Sequence, residues 1–115
     1  MEELLIKKKC VDMMVYAYQA MTHYPKHERF TLCADIKRSM TRVLELITRA
    51  GLSSKNQLQL LFDLDVELKV LLEFVRLSFT LKYLPTKKYE EWSTKIVELG
   101  RMCGGMIKHA RQSRT

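Results

Sequence analysis

The sequence has few of the residues that make tight turns. Its 115 residues include only two prolines and four glycines. Because the turns between short strands need such residues, a sheet of many strands is disfavoured and a few long helices are favoured. The length is that of one ordinary domain, and it suffices to bury a core without disulfides or a structural metal. We therefore expect a single domain over residues 1–115.

Cysteine is also scarce, and its pattern excludes a disulfide or zinc framework. The three cysteines, Cys10, Cys33 and Cys103, are odd in number and widely spaced. Each lies among apolar residues, so we expect small buried thiols in a reducing compartment. No apolar run is long enough to span a membrane, and Glu2 and Glu3 do not fit a signal peptide. The expected location is the cytoplasm, without a membrane partner.

Groups that could converge in an active site are few. His23 and His27 flank a predicted turn, and His109 lies near the end of the chain. No His-Glu-x-x-His or Glu-x-x-His pattern supports a zinc or di-iron centre, and there is no glycine-rich phosphate loop. A nucleophile pair of Cys33 and His27 is conceivable, but Cys33 falls on a core stripe. The sequence predicts a protein that is not an enzyme, with no catalytic residues, no metal and no cofactor.

Four runs of apolar residues at three- and four-residue steps have the period of a helical face. They predict helices at about 3–23, 25–50, 55–82 and 87–111. Helices of this length with short connections form an antiparallel up-down-up-down four-helix bundle. The predicted fold class is therefore all-α.

Several residues suit the predicted helix ends. Pro25 suits the first turn of the second helix, and Gly51 suits a left-handed cap at its end. Ser54 with Gln57 fits a capping box at the start of the third helix, and Thr86 fits the N-cap of the fourth.

Three of the helices have one predicted core stripe each. In the first helix it is Leu4, Val11, Met14, Tyr18 and Met21. In the second it is Phe30, Cys33, Ile36, Met40, Val43, Ile47 and Ala50. In the fourth it is Tyr89, Trp92, Ile96, Leu99, Cys103, Met106 and Ala110. The third helix is apolar almost all round, which exceeds the need of one bundle and predicts a second buried face and self-association.

The chain is basic, with a formal charge of +7. The second and fourth helices supply most of the excess, each with six basic and three acidic residues. We expect their outer faces to form one surface that binds nucleic-acid phosphates, in a sequence-tolerant and salt-sensitive way. The alternative is a solvated face of ion pairs. The candidate nucleic-acid-binding residues are Arg38, Arg42, Arg49, Arg101, Lys108 and Arg111.

Three glycines interrupt the fourth helix. Gly100, Gly104 and Gly105 each cost about 1 kcal/mol relative to alanine inside a helix. Such a cluster indicates that something approaches the backbone closely. The approaching group is either a neighbouring helix of the same chain, or another subunit or partner.

Two segments resemble a known family. The first runs from Pro25 through Glu28-Arg29-Phe30 to Leu32, and the second from Leu99 through Gly100, Gly104 and Gly105 to Lys108. Together with the four-helix pattern, they resemble the accessory variability determinant (Avd) proteins of diversity-generating retroelements. Glu28-Arg29-Phe30 is shared with a wider group that includes proteins encoded in ribosomal RNA intervening sequences. The glycine segment is the more specific marker of the retroelement branch.

The resemblance implies a pentameric barrel of four-helix subunits. It also implies binding to the retroelement's reverse transcriptase and its template RNA, in support of error-prone cDNA synthesis, with no catalytic activity in this chain. Within the family motif we expect Phe30 in the core, and Glu28 and Arg29 in a first helical turn, tied to a neighbour. The alternatives are an intervening-sequence type of protein, or an oligomeric interaction bundle without a nucleic-acid role.

Overall fold

Four long helices make up the fold. The computed structural model describes residues 2–113, and only the backbone of residue 2. The helices are α1 (Glu2–Met21), α2 (Leu32–Leu52), α3 (Gln57–Thr80) and α4 (Thr86–Ser113), with a short 3₁₀ helix at Lys26–Glu28. The described residues include no strand, so the predicted all-α class is confirmed.

The helices pack as an elongated bundle of 50 × 25 × 20 Å. Both α1 and α3 pack against α2 and against α4, whereas α1 does not contact α3 and α2 does not contact α4. The four helices therefore occupy the corners of a square in chain order, with α1 and α3 on one diagonal and α2 and α4 on the other. This is the predicted antiparallel four-helix bundle.

The predicted core stripes of α2 and α4 are largely confirmed. On α2 the stripe from Cys33 to Ala50 is buried, and on α4 the stripe from Trp92 to Ala110 is buried. Trp92 is fully buried near the start of α4. Each of these helices has one apolar face and one charged face, so only one face of the helix can pack toward the core.

The predicted stripe of α1 is wrong except at Met21, which is buried. Leu4, Val11 and Tyr18 are 68%, 43% and 46% exposed, and Met14 is only partly buried. The buried residues of α1 are Ile6, Cys10, Met13, Ala17, Ala20 and Met21. This helix carries two apolar stripes of the same period, and the stripe with the smaller side chains faces the core. Small side chains let neighbouring helices approach closely, which side-chain size alone does not reveal in a sequence.

The start of the second helix also differs from the prediction. The backbone at Thr31 (φ −115°, ψ −96°) is not helical, so α2 begins only at Leu32. This break turns Phe30 out of the core stripe, and its side chain is 85% exposed. Leu32 is buried at the top of α2 instead.

The predicted caps at the α2–α3 connection are not formed. Gly51 lies inside α2, and no described glycine has a positive φ. The helix continues to Leu52 and ends at Ser53 in an extended conformation. Instead of closing a capping box, Gln57 donates from Nε2 to the carbonyl oxygen of Ala50 at 3.0 Å. The end of α2 is thus satisfied by a side chain from α3.

The predicted cap at the α3–α4 connection also differs from the structure. Thr86 is the first residue of α4 and not its N-cap, since the Tyr89 N–H donates to the carbonyl oxygen of Pro85 at 3.0 Å. The connection turns at Lys82, whose φ of 66° lies in the left-handed region.

The exposed position of Phe30 gives a direct test of the corrected α2 start. We expect Phe30→Ala to change the free energy of unfolding by less than about 0.5 kcal/mol, because the ring loses little buried surface. Ile36→Val, at a fully buried site, serves as the comparison and is expected to cost about 1 kcal/mol. Urea unfolding followed by circular dichroism, at one protein concentration, measures both. A larger loss in Phe30→Ala than in Ile36→Val would place the ring in the core.

Candidate nucleic-acid interface

The candidate basic residues form two separate groups. All six side chains are exposed, but Arg38, Arg42 and Arg49 lie on α2, and the other three lie on α4. Since α2 and α4 occupy opposite corners of the bundle and do not touch, the single continuous surface that we expected is not formed. In an up-down-up-down bundle, alternate helices are always diagonal.

The α2 arginines are paired with carboxylates of their own helix. Arg38 Nη1 lies 2.8 Å from Asp35 Oδ1, and Arg42 Nη1 lies 2.8 Å from Glu45 Oε1. Arg49 Nη2 lies 3.7 Å from the other oxygen of Glu45. Exposed pairs of this spacing contribute only about 0.3–0.5 kcal/mol each, so a phosphate can replace the carboxylate as the partner. In its geometry this face matches the alternative that we considered, a solvated helix face of ion pairs. Its three guanidinium groups are nevertheless accessible to a ligand.

A groove of about 330 Å³ runs beside these arginines, between α2 and α3. Arg38 and Arg42 line it, but so do the carboxylates of Asp35 and Glu67. Glu67 accepts a hydrogen bond from the Ser39 hydroxyl at 2.7 Å. The mixed charge makes the groove a poor pocket for an anion, so phosphate contacts on α2 would be made on its outer face.

The α4 group is less neutralised. Among the side chains of residues 3–113, none of its three cations forms an ion pair. The Arg111 guanidinium lies 5.2 Å from the centre of the Phe62 ring, a cation–π arrangement that fixes the side chain without neutralising its charge. Arg101 and Lys108 point to solvent.

The glycines of α4 have no explanation inside this chain. Apart from its chain neighbours and the backbone of its own helix turn, a methyl group added at Gly100, Gly104 or Gly105 would meet no described atom within 4 Å. Packing between helices of one subunit therefore does not require them. Gly100 borders an apolar groove of about 360 Å³ between α3 and α4, which Leu72 and Val97 also line.

Two apolar stripes lie on the outside of the bundle. Among the described residues, the exposed large apolar side chains are most numerous on α1 (Leu4, Leu5, Val11, Val15 and Tyr18) and on α3 (Val66, Val70 and Leu77), and the remaining four are Phe30, Leu52, Leu81 and Val97. Exposure on α3 reaches 61% at Val66. These stripes lie on the diagonal that α2 and α4 do not occupy, so each bundle presents an apolar face on two opposite sides. The surplus apolar face that the sequence predicted for α3 is thus at the surface of the subunit.

The family motif has a structural role at one end of the bundle. The Glu28 carboxylate accepts hydrogen bonds from the Thr31 hydroxyl, from the Leu32 N–H and, at 2.8 Å, from the Tyr83 hydroxyl. These bonds hold the pKa of Glu28 below its ordinary value. Glu28 therefore ties the start of α2 to the α3–α4 connection, whereas Arg29 remains exposed. Nothing in the sequence near Glu28 points to Tyr83.

The cysteines are structural. All three thiols are free and buried. Burial raises the pKa of Cys10 to about 11 and that of Cys103 to about 12, so neither is a thiolate at neutral pH. In the described part of the chain, no cluster of three or more histidine, cysteine or acidic residues could hold a metal ion. None of the described helices meets the length and hydropathy needed to cross a membrane.

A solved structure shares this fold. It is a protein of unknown function from the S23 ribosomal protein family of Bacteroides thetaiotaomicron VPI-5482, with a TM-score of 0.82 and 17% sequence identity. The superposition covers 94% of this chain and 99% of that one. At this identity the similarity shows the fold alone. No curated protein sequence matches this chain.

The comparison with protein families is more specific. The model of the bAvd-like family matches residues 4–110. That family consists in general of accessory proteins without catalytic activity. The match includes all four helices, the Glu28-Arg29-Phe30 motif and the α4 glycines. Because it spans nearly the whole sequence, this chain belongs to the bAvd-like family.

Proposed function

We propose that this protein is the non-enzymatic accessory subunit of a diversity-generating retroelement. In this role it binds the element's reverse transcriptase and template RNA in the cytoplasm, and it supports mutagenic reverse transcription. The family match over residues 4–110 carries this proposal. The catalytic chemistry belongs to the polymerase, and this chain contributes binding surfaces.

The proposed assembly is a ring of five subunits. The apolar stripe of α1 from Leu4 to Val15 and the stripe of α3 lie on opposite sides of the bundle, and Tyr18, near the turn at Pro25, is left outside this contact. A symmetric dimer buries the same patch on both partners and would leave the other stripe exposed. A head-to-tail contact between α1 of one subunit and α3 of the next buries both stripes, and it gives a ring when the rotation between neighbouring subunits closes. The number five comes from the resemblance to the pentameric Avd proteins.

Such a ring would separate the two basic groups. If α1 and α3 make the contacts between subunits, α2 and α4 do not take part in them. One of these two helices then lies on the inner face of the ring wall and the other on the outer face. The arginines of α2 would then line one face, and Arg101, Lys108 and Arg111 the other. Each face would repeat its cations around the ring, which suits a nucleic-acid backbone that carries regularly spaced phosphates.

We propose that the polymerase docks on α4, over Gly100 and Gly104. At both glycines the space that a Cβ atom would occupy is open, so another molecule can approach the helix backbone there. The neighbouring groove between α3 and α4 is lined by Leu68, Leu72 and Val97 and can receive an apolar side chain of the partner.

Gly104→Leu tests this docking surface. We expect the variant to keep its helicity and its oligomer mass, because leucine favours helix more than glycine does, by about 0.8 kcal/mol. Its affinity for the reverse transcriptase should fall by about tenfold or more, since a bulky side chain keeps the partner away from the helix. Thr94→Leu, at an exposed site on the same helix, is the matched control. Equal polymerase binding by the two variants would remove Gly104 from the interface.

Co-expression tests the proposed function itself. We expect the reverse transcriptase encoded beside this gene to co-purify with a tagged form of the protein, together with template RNA. A nuclease-treated sample separates a direct protein contact from one that RNA bridges. A purified oligomer that recovers neither the polymerase nor RNA would contradict the proposal.

A further inference from the structure

A second basic site lies away from the candidate residues on the outer faces. A cavity of about 320 Å³ opens between α1 and α2, where the chain turns at Pro25. Its polar lining comes from three stretches of chain. Tyr18 lies in the last turns of α1, Thr22, Lys26 and Arg29 lie in the connection that follows, and Lys37 lies on α2. Cavities of this size hold small ligands in other proteins.

The charge in this cavity has a single sign. Lys26, Arg29 and Lys37 all line it, and no carboxylate does. None of the three forms an ion pair with any described side chain, which are those of residues 3–113. The groove beside Arg38 is different, because Asp35 and Glu67 line it together with the arginines. The cavity between α1 and α2 therefore has three cations converging on one space without a counter-charge.

The acidic residue nearest in sequence to Lys26 and Arg29 is already engaged. Glu28 lies between Lys26 and Arg29 in sequence, but its two oxygens accept hydrogen bonds from Thr31, Leu32 and Tyr83. These contacts hold the carboxylate toward the α3–α4 connection. The Glu28 carboxylate is thus held by other partners and does not line the cavity, whose charged lining residues are all cations.

The cavity also has an aromatic and an apolar wall. Lys37 Nζ lies 4.9 Å from the centre of the Tyr18 ring, so the ring positions this ammonium group by a cation–π contact. Met21 and Pro25 complete the apolar side. Cys33, the second residue of α2, also lines the cavity, and the amino end of a helix favours an anion nearby.

From this arrangement we infer that the cavity between α1 and α2 binds the phosphate group of a nucleotide. The three cations contact the phosphate oxygens, and the wall at Tyr18 and Pro25 contacts the sugar or base. The ligand is either a free nucleotide or one nucleotide of an RNA strand, since both present the same phosphate chemistry. The inference extends the proposed RNA binding to a defined pocket, but the pocket does not depend on the reverse transcriptase.

Equilibrium dialysis of the intact oligomer tests this site with three probes, namely ADP, adenosine, and a ten-nucleotide RNA. We expect adenosine to bind at least about tenfold more weakly than the phosphorylated probes. Arg29→Gln should weaken phosphate binding by about tenfold, and the triple variant K26Q/R29Q/K37Q by about a hundredfold, because charge-assisted hydrogen bonds are lost. ADP binding would identify a free nucleotide as the source. Binding of the RNA without ADP, if K26Q/R29Q/K37Q weakens it, would identify a strand.

The matched control removes three cations elsewhere. K7Q/K8Q/K55Q has the same change in net charge, and its residues are exposed and lie at the other end of the bundle. This control should bind every probe within about twofold of the unaltered protein. Equal losses in both triple variants, or no loss in K26Q/R29Q/K37Q, would overturn the pocket. Co-purification with the reverse transcriptase is a separate measurement. The nucleotide site can therefore be disproved while the proposed function stands, and the proposed function can be disproved while the nucleotide site stands.

Discussion

Val70→Glu on α3 is expected to convert the protein from the proposed ring into a monomer of 13.6 kDa. Val70 is 40% exposed in the subunit and lies in the outer stripe of α3. In the proposed ring this stripe is buried against α1 of the next subunit. Burying an unpaired carboxylate in such an interface costs several kcal/mol, which corresponds to a loss of at least about a hundredfold in subunit affinity at each contact.

The reciprocal face gives a second variant of the same kind. Val15→Glu on α1, at a residue 54% exposed, should also dissociate the ring, because a head-to-tail contact needs both stripes. Thr41→Glu adds the same charge to an exposed site on α2 and should leave the assembly intact.

Light scattering after size-exclusion chromatography measures the outcome. Five copies of the 13.6 kDa chain weigh about 68 kDa, well separated from the monomer. An unaltered protein that runs as a monomer at micromolar concentration would contradict the ring. So would Val70→Glu and Val15→Glu variants that both keep the mass of the unaltered protein, since the subunit contacts would then lie elsewhere.

The parts of the fold that could be predicted from sequence are the helices with a single apolar stripe, because only one face of such a helix can be buried. Both α2 and α4 combine a single apolar stripe with charged residues on the other side, and their buried faces follow directly. In α1 two apolar stripes of equal period compete. The stripe with Ala17 and Ala20 is buried because neighbouring helices fit closely against small side chains, and that fit depends on residues far away in the sequence.

The end of the bundle near Pro25 shows a second limit. The prediction placed Phe30 in the core because it continues the period of Cys33 and Ile36. The backbone at Thr31 interrupts that period, and a hydrogen bond from Tyr83, 55 residues away, holds Glu28 at the break. Such a long-range contact leaves no local trace in the sequence.

The candidate site was predicted residue by residue but not in its arrangement. The six basic side chains are exposed as the helical period requires. Their division between opposite corners follows from the order of the helices, because α2 and α4 are diagonal in any up-down-up-down bundle. The cavity at Lys26, Arg29 and Lys37 could not be found in this way, since its cations come from a 3₁₀ turn and a helix whose junction the sequence pattern misplaced.

Reversing the charge of Arg38, Arg42 and Arg49 to glutamate is expected to weaken RNA binding by about a hundredfold at ~0.1 M salt, because several phosphate contacts are lost. The fold should survive. Each arginine gives up only an exposed pair with Asp35 or Glu45, and like charges at this helical spacing cost about 0.2–0.5 kcal/mol each. Circular dichroism and light scattering check helicity and mass.

The dependence on salt makes this prediction specific to phosphate contacts. For single-stranded RNA, each lost contact should reduce the slope of log affinity against log salt by about 0.7, so three contacts should reduce it by about 2. Charge reversal at Arg101, Lys108 and Arg111 on the opposite corner provides the comparison with equal charge. If that variant loses the affinity and the slope while the α2 variant keeps both, the RNA lies on α4. If both variants bind as the unaltered protein does, neither outer face contacts the phosphates.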